Sequence, residues 1–262
     1  MGVDYVVDLP CAVKSDIPTD RLVGLIKGRS QANTVLELAR RDGIQSSPAE
    51  IVFGRVRQLP GGTTYEEVSV QALLDEAAPL RDYEHYCVGC PANLRGEPFG
   101  CYGNLSYPIS SATEAWLLAR LPESLNGVAG QLLRVAVRDV GHDGGRIRDM
   151  RRRGDTFFER NKPAQRTWRR GLTRWTLTSD QLLQMLIGRG NLNQEHCALL
   201  ALYLGVIPHD SPPEIVRDPI ALRRMVADAH GDAGTEAPEQ WRSFLKALAL
   251  AAALNVHLLI DS

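Results

Sequence analysis

The chain has 262 residues, 44% of them hydrophobic and 23% charged, with a formal net charge of −1, a size and composition compatible with one large domain or two small ones around a substantial core. Five cysteines are an odd number in a chain with ample core-forming residues, which excludes a disulfide framework of the kind small secreted domains need and leaves reduced thiols available to a metal. The opening residues MGVDYVVDLP carry acids where a secretory signal carries lysine or arginine, and the most apolar tract, residues 247–254, is bounded by Lys246, Asn255 and His257; neither export by a signal of that kind nor a membrane span is expected, and a soluble cytoplasmic protein is.

Residues 3–9, VDYVVDL, are β-branched and end at Pro10, which predicts a first strand. Thr19 is placed to cap a helical region that ends near Arg41 before Gly43, with Leu22, Leu25, Ile26, Ala32, Leu36 and Ala39 on one face and an expected break around Gly24, Gly28 and Ser30. Residues 51–57 and 64–70 flank PGGT and predict a β-hairpin, after which Ser69 caps a short helix closed by Pro79. Ser111 and Glu114 have the spacing of a capping box at the head of ATEAWLLARL. Further helices are predicted over residues 127–138, 179–187, 193–204, 219–230 and 239–254, and the final VHLLID is a strand that could pair with the first. The glycine-rich GHDGG at residues 141–145 is the best boundary, giving an α+β region over 1–140 and a mainly helical one over 141–262, or a single domain. The fold expected is α+β and mainly helical, with a small sheet formed by the terminal strands and a cysteine-rich metal-binding loop.

That loop, YCVGCPANLRGEPFGCYG, begins at Tyr86. Cys87 and Cys90 form C-x2-C, which sets two sulfurs on one tight turn, and Cys101 returns through a stretch containing Gly96, Pro98 and Gly100. A tetrahedral site needs a fourth donor. Cys11, just after the first strand, is geometrically freer than His85, which lies two residues before the turn; Cys197 and His196 are more distant options. Thiolate and imidazole donors suit Zn2+, and a complete set of four cysteines with Pro91 after Cys90 suits a [4Fe-4S] cluster in a redox enzyme or sensor. The alternatives are a redox-active dithiol or small buried side chains.

Residues 146–175 hold eleven Arg/Lys against three acids, a net charge of +8 that leaves −9 for the remainder. Arg151, Arg152, Arg153, Arg166, Arg169 and Arg170 match phosphate oxygens and Trp168 can stack on a base, which nominates a nucleic-acid partner or, failing that, an acidic protein. The competing reading makes the aromatics core and the arginines a solvated face or partners of the acidic remainder. His142-Asp143 and His209-Asp210 lack the further histidines and aspartates of a metal phosphohydrolase, and His196 and Cys197 point apart on a helix, so no catalytic residue is assigned and Cys197 is expected to be packing.

Overall fold

The computed structural model describes residues 2–59, 62–154, 156–170, 173–228 and 239–261. Along them run β1 (Gly2–Val7), α1 (Ala12–Asp16), α2 (Thr19–Arg41), β2 (Val52–Leu59), β3 (Gly62–Ser69), α3 (Val70–Glu76), a 3-10 segment (Ala78–Cys87), β4 (Tyr102–Ser106), α4 (Ser111–Ala119), α5 (Val128–Asp139) and α6 (Gly145–Arg152). There follow β5 (Gln165–Arg170), β6 (Thr173–Thr178), α7 (Ser179–Leu186), α8 (Gln194–Tyr203), a second 3-10 segment (Pro213–Arg217), α9 (Pro219–Asp228), α10 (Glu239–Leu254) and β7 (Leu258–Asp261). The architecture is α+β, about half helical, with small antiparallel sheets. The chain divides into a larger unit, Met1–Leu9, Pro91–Arg95 and Gly100–Ser262, and a smaller one, Pro10–Cys90 and Gly96–Phe99. The GHDGG stretch expected as a boundary lies inside the larger unit and leads into α6.

In the smaller unit α2 is one unbroken helix, not the interrupted one expected from its glycines. Gly24 and Gly28 keep helical backbone within it, since an interior glycine costs only about 1 kcal/mol of helix propensity, and a Cβ at Gly28 would meet Leu73 of α3 at 3.5 Å, an ordinary contact. Ala32, Val70 and Leu73 form one core cluster, with Val35, Leu36, Ile51, Phe53, Val68 and Leu74 packed around it, and Leu22, Leu25, Ile26, Leu80 and Phe99 are also buried in this unit. The predicted hairpin is present, with Val52 opposite Ser69 and the oppositely charged Arg55 and Glu66 facing each other across the strands. Ser69 caps α3 as expected, its hydroxyl accepting from the Ala72 N–H at 3.1 Å.

In the larger unit β1 is the central strand of the sheet β4-β1-β7, so both predicted terminal strands are paired. Its residues Val3 to Val7 are all buried, as a strand with neighbours on both edges and helices over its face requires. Tyr5 sits opposite Gly103 and its ring occupies the space a side chain at 103 would need. The alanine-rich face of α10 lets that helix approach α8 closely, and Trp241, Phe244 and Leu248 are buried beneath it.

The capping box predicted at α4 does not form. Ser110 is the cap, accepting from the Thr113 N–H at 3.1 Å, while the Ser111 N–H and hydroxyl both donate to Glu159 at 2.6 and 2.9 Å. Glu114 instead turns into the core, where it meets Arg151 of α6 and accepts a hydrogen bond from the Ser179 hydroxyl at 2.6 Å. Arg151 also donates from Nε and Nη2 to Asp180 at 3.0 and 2.7 Å and from Nη1 to the Arg160 carbonyl at 2.6 Å, and its guanidinium lies 4.0 Å from the centre of the Phe158 ring. Arg151 and Glu114 are 2% and 1% exposed, so this ion cluster is a core element binding α4, α6 and α7 together.

Candidate functional site

Three of the sequence-predicted donors, Cys11, Cys87 and Cys90, belong to the smaller unit and are half-buried. Cys11 is the residue before α1, held in extended backbone, with its carbonyl accepting from the Ser15 N–H at 3.1 Å. Its sulfur makes no capping hydrogen bond to the helix it precedes. Cys87 ends the 3-10 segment, and the Cys90 N–H returns to the Cys87 carbonyl at 3.4 Å. Gly89 makes that turn in the left-handed region, φ 70°, which a side chain would resist.

Phe99 is the residue that the sequence did not nominate. Its N–H donates to the Cys87 sulfur at 3.1 Å, across the loop that separates them. It does so with φ 61°, a conformation bulky residues rarely adopt, so the surrounding structure must hold it there. The holding is visible: the Phe99 ring is 2% exposed, the Arg29 guanidinium covers it at 5.2 Å, and Arg29 is in turn ion-paired to Glu84 at 2.6 Å. Burial pushes the Cys87 thiol above the ordinary cysteine range; the Phe99 N–H opposes that shift, and charge on Cys90, Cys11 and Glu84 adds to it.

His85 is exposed and its ring lies 3.9 Å from that of Tyr86, so its side chain is engaged along the 3-10 segment. Cys101 stands in the larger unit directly before β4, where its carbonyl accepts from the Val7 N–H at 3.0 Å. All five cysteines are free thiols. Among the described residues no group of three or more His, Cys, Asp or Glu side chains is already gathered closely enough to hold a metal ion. Cys197 is fully buried in α8, its thiol pushed up to about 12 by burial, as expected of a packing residue.

No family model, curated protein or solved structure matches the chain. Function is therefore argued from side-chain chemistry. Among the described residues no helix is long and apolar enough to cross a membrane.

The basic segment lies wholly in the larger unit and separates into committed and free arginines. Arg151 is consumed by the core cluster, and Arg166 donates from Nη1 to the carbonyls of Leu118, Ala119 and Leu121 at 2.8, 3.0 and 2.7 Å, satisfying the end of α4. Trp168 donates its indole N–H to the Pro122 carbonyl at 2.9 Å and faces Trp175 at 5.1 Å. Arg152 is exposed with Asp149 at 3.3 Å, and Arg153 and Arg169 are exposed. Arg170 ends β5 opposite Thr173.

The His-Asp pairs are structural. Asp143 accepts from the Gly145 N–H at 2.9 Å at the head of α6, and His209 Nε2 is 3.2 Å from the Tyr203 carbonyl. His142 is buried, its Nδ1 has no hydrogen-bond partner among the described residues, and burial, then charge on Arg189 and His196, lower its pKa from 6.5 to about 4. Between those values the unfolded chain binds a proton that the folded chain refuses, so acid destabilises the fold. The urea midpoint is expected to fall as pH drops from 6.5 towards 4, and His142→Gln is expected to flatten that dependence; an identical pH profile in the variant would show that His142 is not its source.

Proposed function

We propose that the chain is a metal-binding protein whose thiolates hold Zn2+ as a structural centre, in a reducing compartment such as the cytoplasm. The observation that carries this reading is the Cys87–Phe99 contact. A bulky residue is kept in left-handed backbone while its N–H points at the sulfur of a C-x2-C turn. That N–H opposes the upward shift burial imposes on the Cys87 thiol, and a bound cation would supply the rest of what the thiolate needs. Cys90 sits on the same turn and Cys11 belongs to the same unit, which supplies three sulfur donors. Cys101, two residues beyond Phe99 in the chain, is proposed as the fourth from its spacing in the sequence.

A metal staple contributes folding energy of its own and would hold the C-x2-C turn in place. Zinc would close the set tetrahedrally, at about 2.3 Å from each sulfur. A second reading, a [4Fe-4S] cluster, rests on the all-sulfur set of Cys11, Cys87, Cys90 and Cys101 with Pro91 directly after Cys90. Metal analysis and a visible spectrum on protein purified without oxygen separate the two. Colourless protein with stoichiometric zinc is expected; a brown sample with iron and sulfide replaces zinc by the cluster, and the absence of both removes the metal centre.

A further inference from the structure

We propose that the β5–β6 hairpin binds the phosphodiester backbone of a nucleic acid through the face that carries Thr167, Arg169, Arg174 and Thr176. In an antiparallel pair, residues directly opposite share a face and successive residues alternate between faces. The register Arg166↔Leu177 and Trp168↔Trp175 therefore defines one face of this hairpin, and Gln165↔Thr178, Thr167↔Thr176, Arg169↔Arg174 the other. The first is committed to the protein: Leu177 is fully buried, Trp168 bonds the Pro122 carbonyl and Arg166 bonds the end of α4.

The second face is polar throughout and has no carboxylate. Arg169 and Arg174 lie directly opposite each other, both exposed, and neither has an acidic partner among the described residues. Like charges in that position destabilise a strand pair. In the same basic segment Arg151 pairs with Glu114 and Asp180, and Arg152 with Asp149. Among the described residues no carboxylate offsets the Arg169–Arg174 pair. A polyanion would offset it: two adjacent guanidinium forks fit phosphate oxygens, and the Thr167 and Thr176 hydroxyls, hydrogen-bonded to each other at 3.0 Å, lie on the same face. The face offers no apolar residue on which a protein interface could build a core, whereas interfaces with nucleic acid are polar and strongly basic.

The test uses the full chain and fluorescein-labelled oligonucleotides of about 20 nucleotides, single-stranded and duplex, titrated by anisotropy between about 50 and about 200 mM salt. Binding is expected to weaken with salt, and the double variant R169T/R174T is expected to bind about tenfold or more weakly, with a salt slope shallower by about 1.5 to 2. Its melting temperature is expected to equal or exceed that of the parent, because a repulsive pair is removed and β-branched residues replace it; this separates lost binding from lost structure. R152T/R153T is expected to bind like the parent. Failure of the parent to bind either oligonucleotide overturns the proposal, as does an equal loss in both variants or binding that ignores salt. Preference for an acidic peptide over both oligonucleotides, lost in R169T/R174T, also overturns it and assigns the face to a protein.

Discussion

Arg151→Met is expected to destabilise the protein by about 3–5 kcal/mol, read as a lower urea midpoint with little change in slope. The methionine keeps an unbranched stem against Phe158, so the loss is chiefly electrostatic. In the parent one guanidinium answers two carboxylates, Glu114 and Asp180, and the residues that carry all three charges are almost wholly shielded from water. Without it, two carboxylates remain buried with the Ser179 hydroxyl still donating to Glu114, and each would be driven towards its protonated form. The deficit should therefore shrink as pH falls, since a carboxyl group with a raised folded-state pKa destabilises the fold only while solution pH favours its ionised form. Neutralising all members together in R151M/E114Q/D180N is expected to recover part of the loss, because what costs most is the unanswered charge and not the absence of the ion pairs. A loss below about 1 kcal/mol in Arg151→Met would mean that water reaches the cluster and that its charges are screened as surface pairs are.

The same cluster shows where sequence reasoning stops. Local chemistry was readable: Ser69 and Asn193 cap the helices they precede, each accepting from a backbone N–H three residues on, and β1 and β7 pair as the β-branched termini suggested. Glu114 misled because S-x-x-E is a local pattern, and its carboxylate is claimed by an arginine 37 positions away, which no spacing rule anticipates. Gly28 read as a helix breaker from its propensity alone, a cost of about 1 kcal/mol that the packing of α2 against α3 outweighs. Arg166 and Trp168 looked like ligand-binding residues because of their type, yet each satisfies backbone carbonyls of the segment at and beyond the end of α4. The alternation in residues 165–178 that places Arg169 and Arg174 on one face was hidden by their charge, which drew attention to composition over period. Phe99 had no sequence signal at all, because left-handed backbone is expected of glycine or asparagine and not of phenylalanine.

On the proposed function, C87S/C90S is expected to abolish metal binding, and a strong chelator added to the parent is expected to unfold the smaller unit while the larger retains its structure. Each unit has its own core, the smaller around Ala32, Val70 and Leu73 and the larger around residues such as Trp241, Phe244 and Leu248, so their responses can be separated. Hydrogen exchange read peptide by peptide distinguishes them: protection should fall over α2, α3 and the β2–β3 hairpin and persist over α8 and α10. Metal uptake should also strengthen with rising pH, because each thiol must release a proton to become a ligand and protons compete for the sulfur. Single serine replacements then assign the set. C11S and C101S should each weaken retention if the donors are four cysteines, whereas His85→Gln should leave it unchanged, since its ring is already engaged with Tyr86. Retention in C101S together with loss in His85→Gln would move the fourth donor to the imidazole and exclude the all-sulfur cluster. The Phe99 contact gives a readout specific to this geometry: Phe99→Gly keeps the N–H aimed at Cys87 and adopts φ 61° readily, whereas β-branched Phe99→Val keeps the N–H but resists that backbone and would turn it away. If the hydrogen bond serves the thiolate, the glycine variant retains metal better than the valine variant; equal retention in both would leave the N–H without a role in binding.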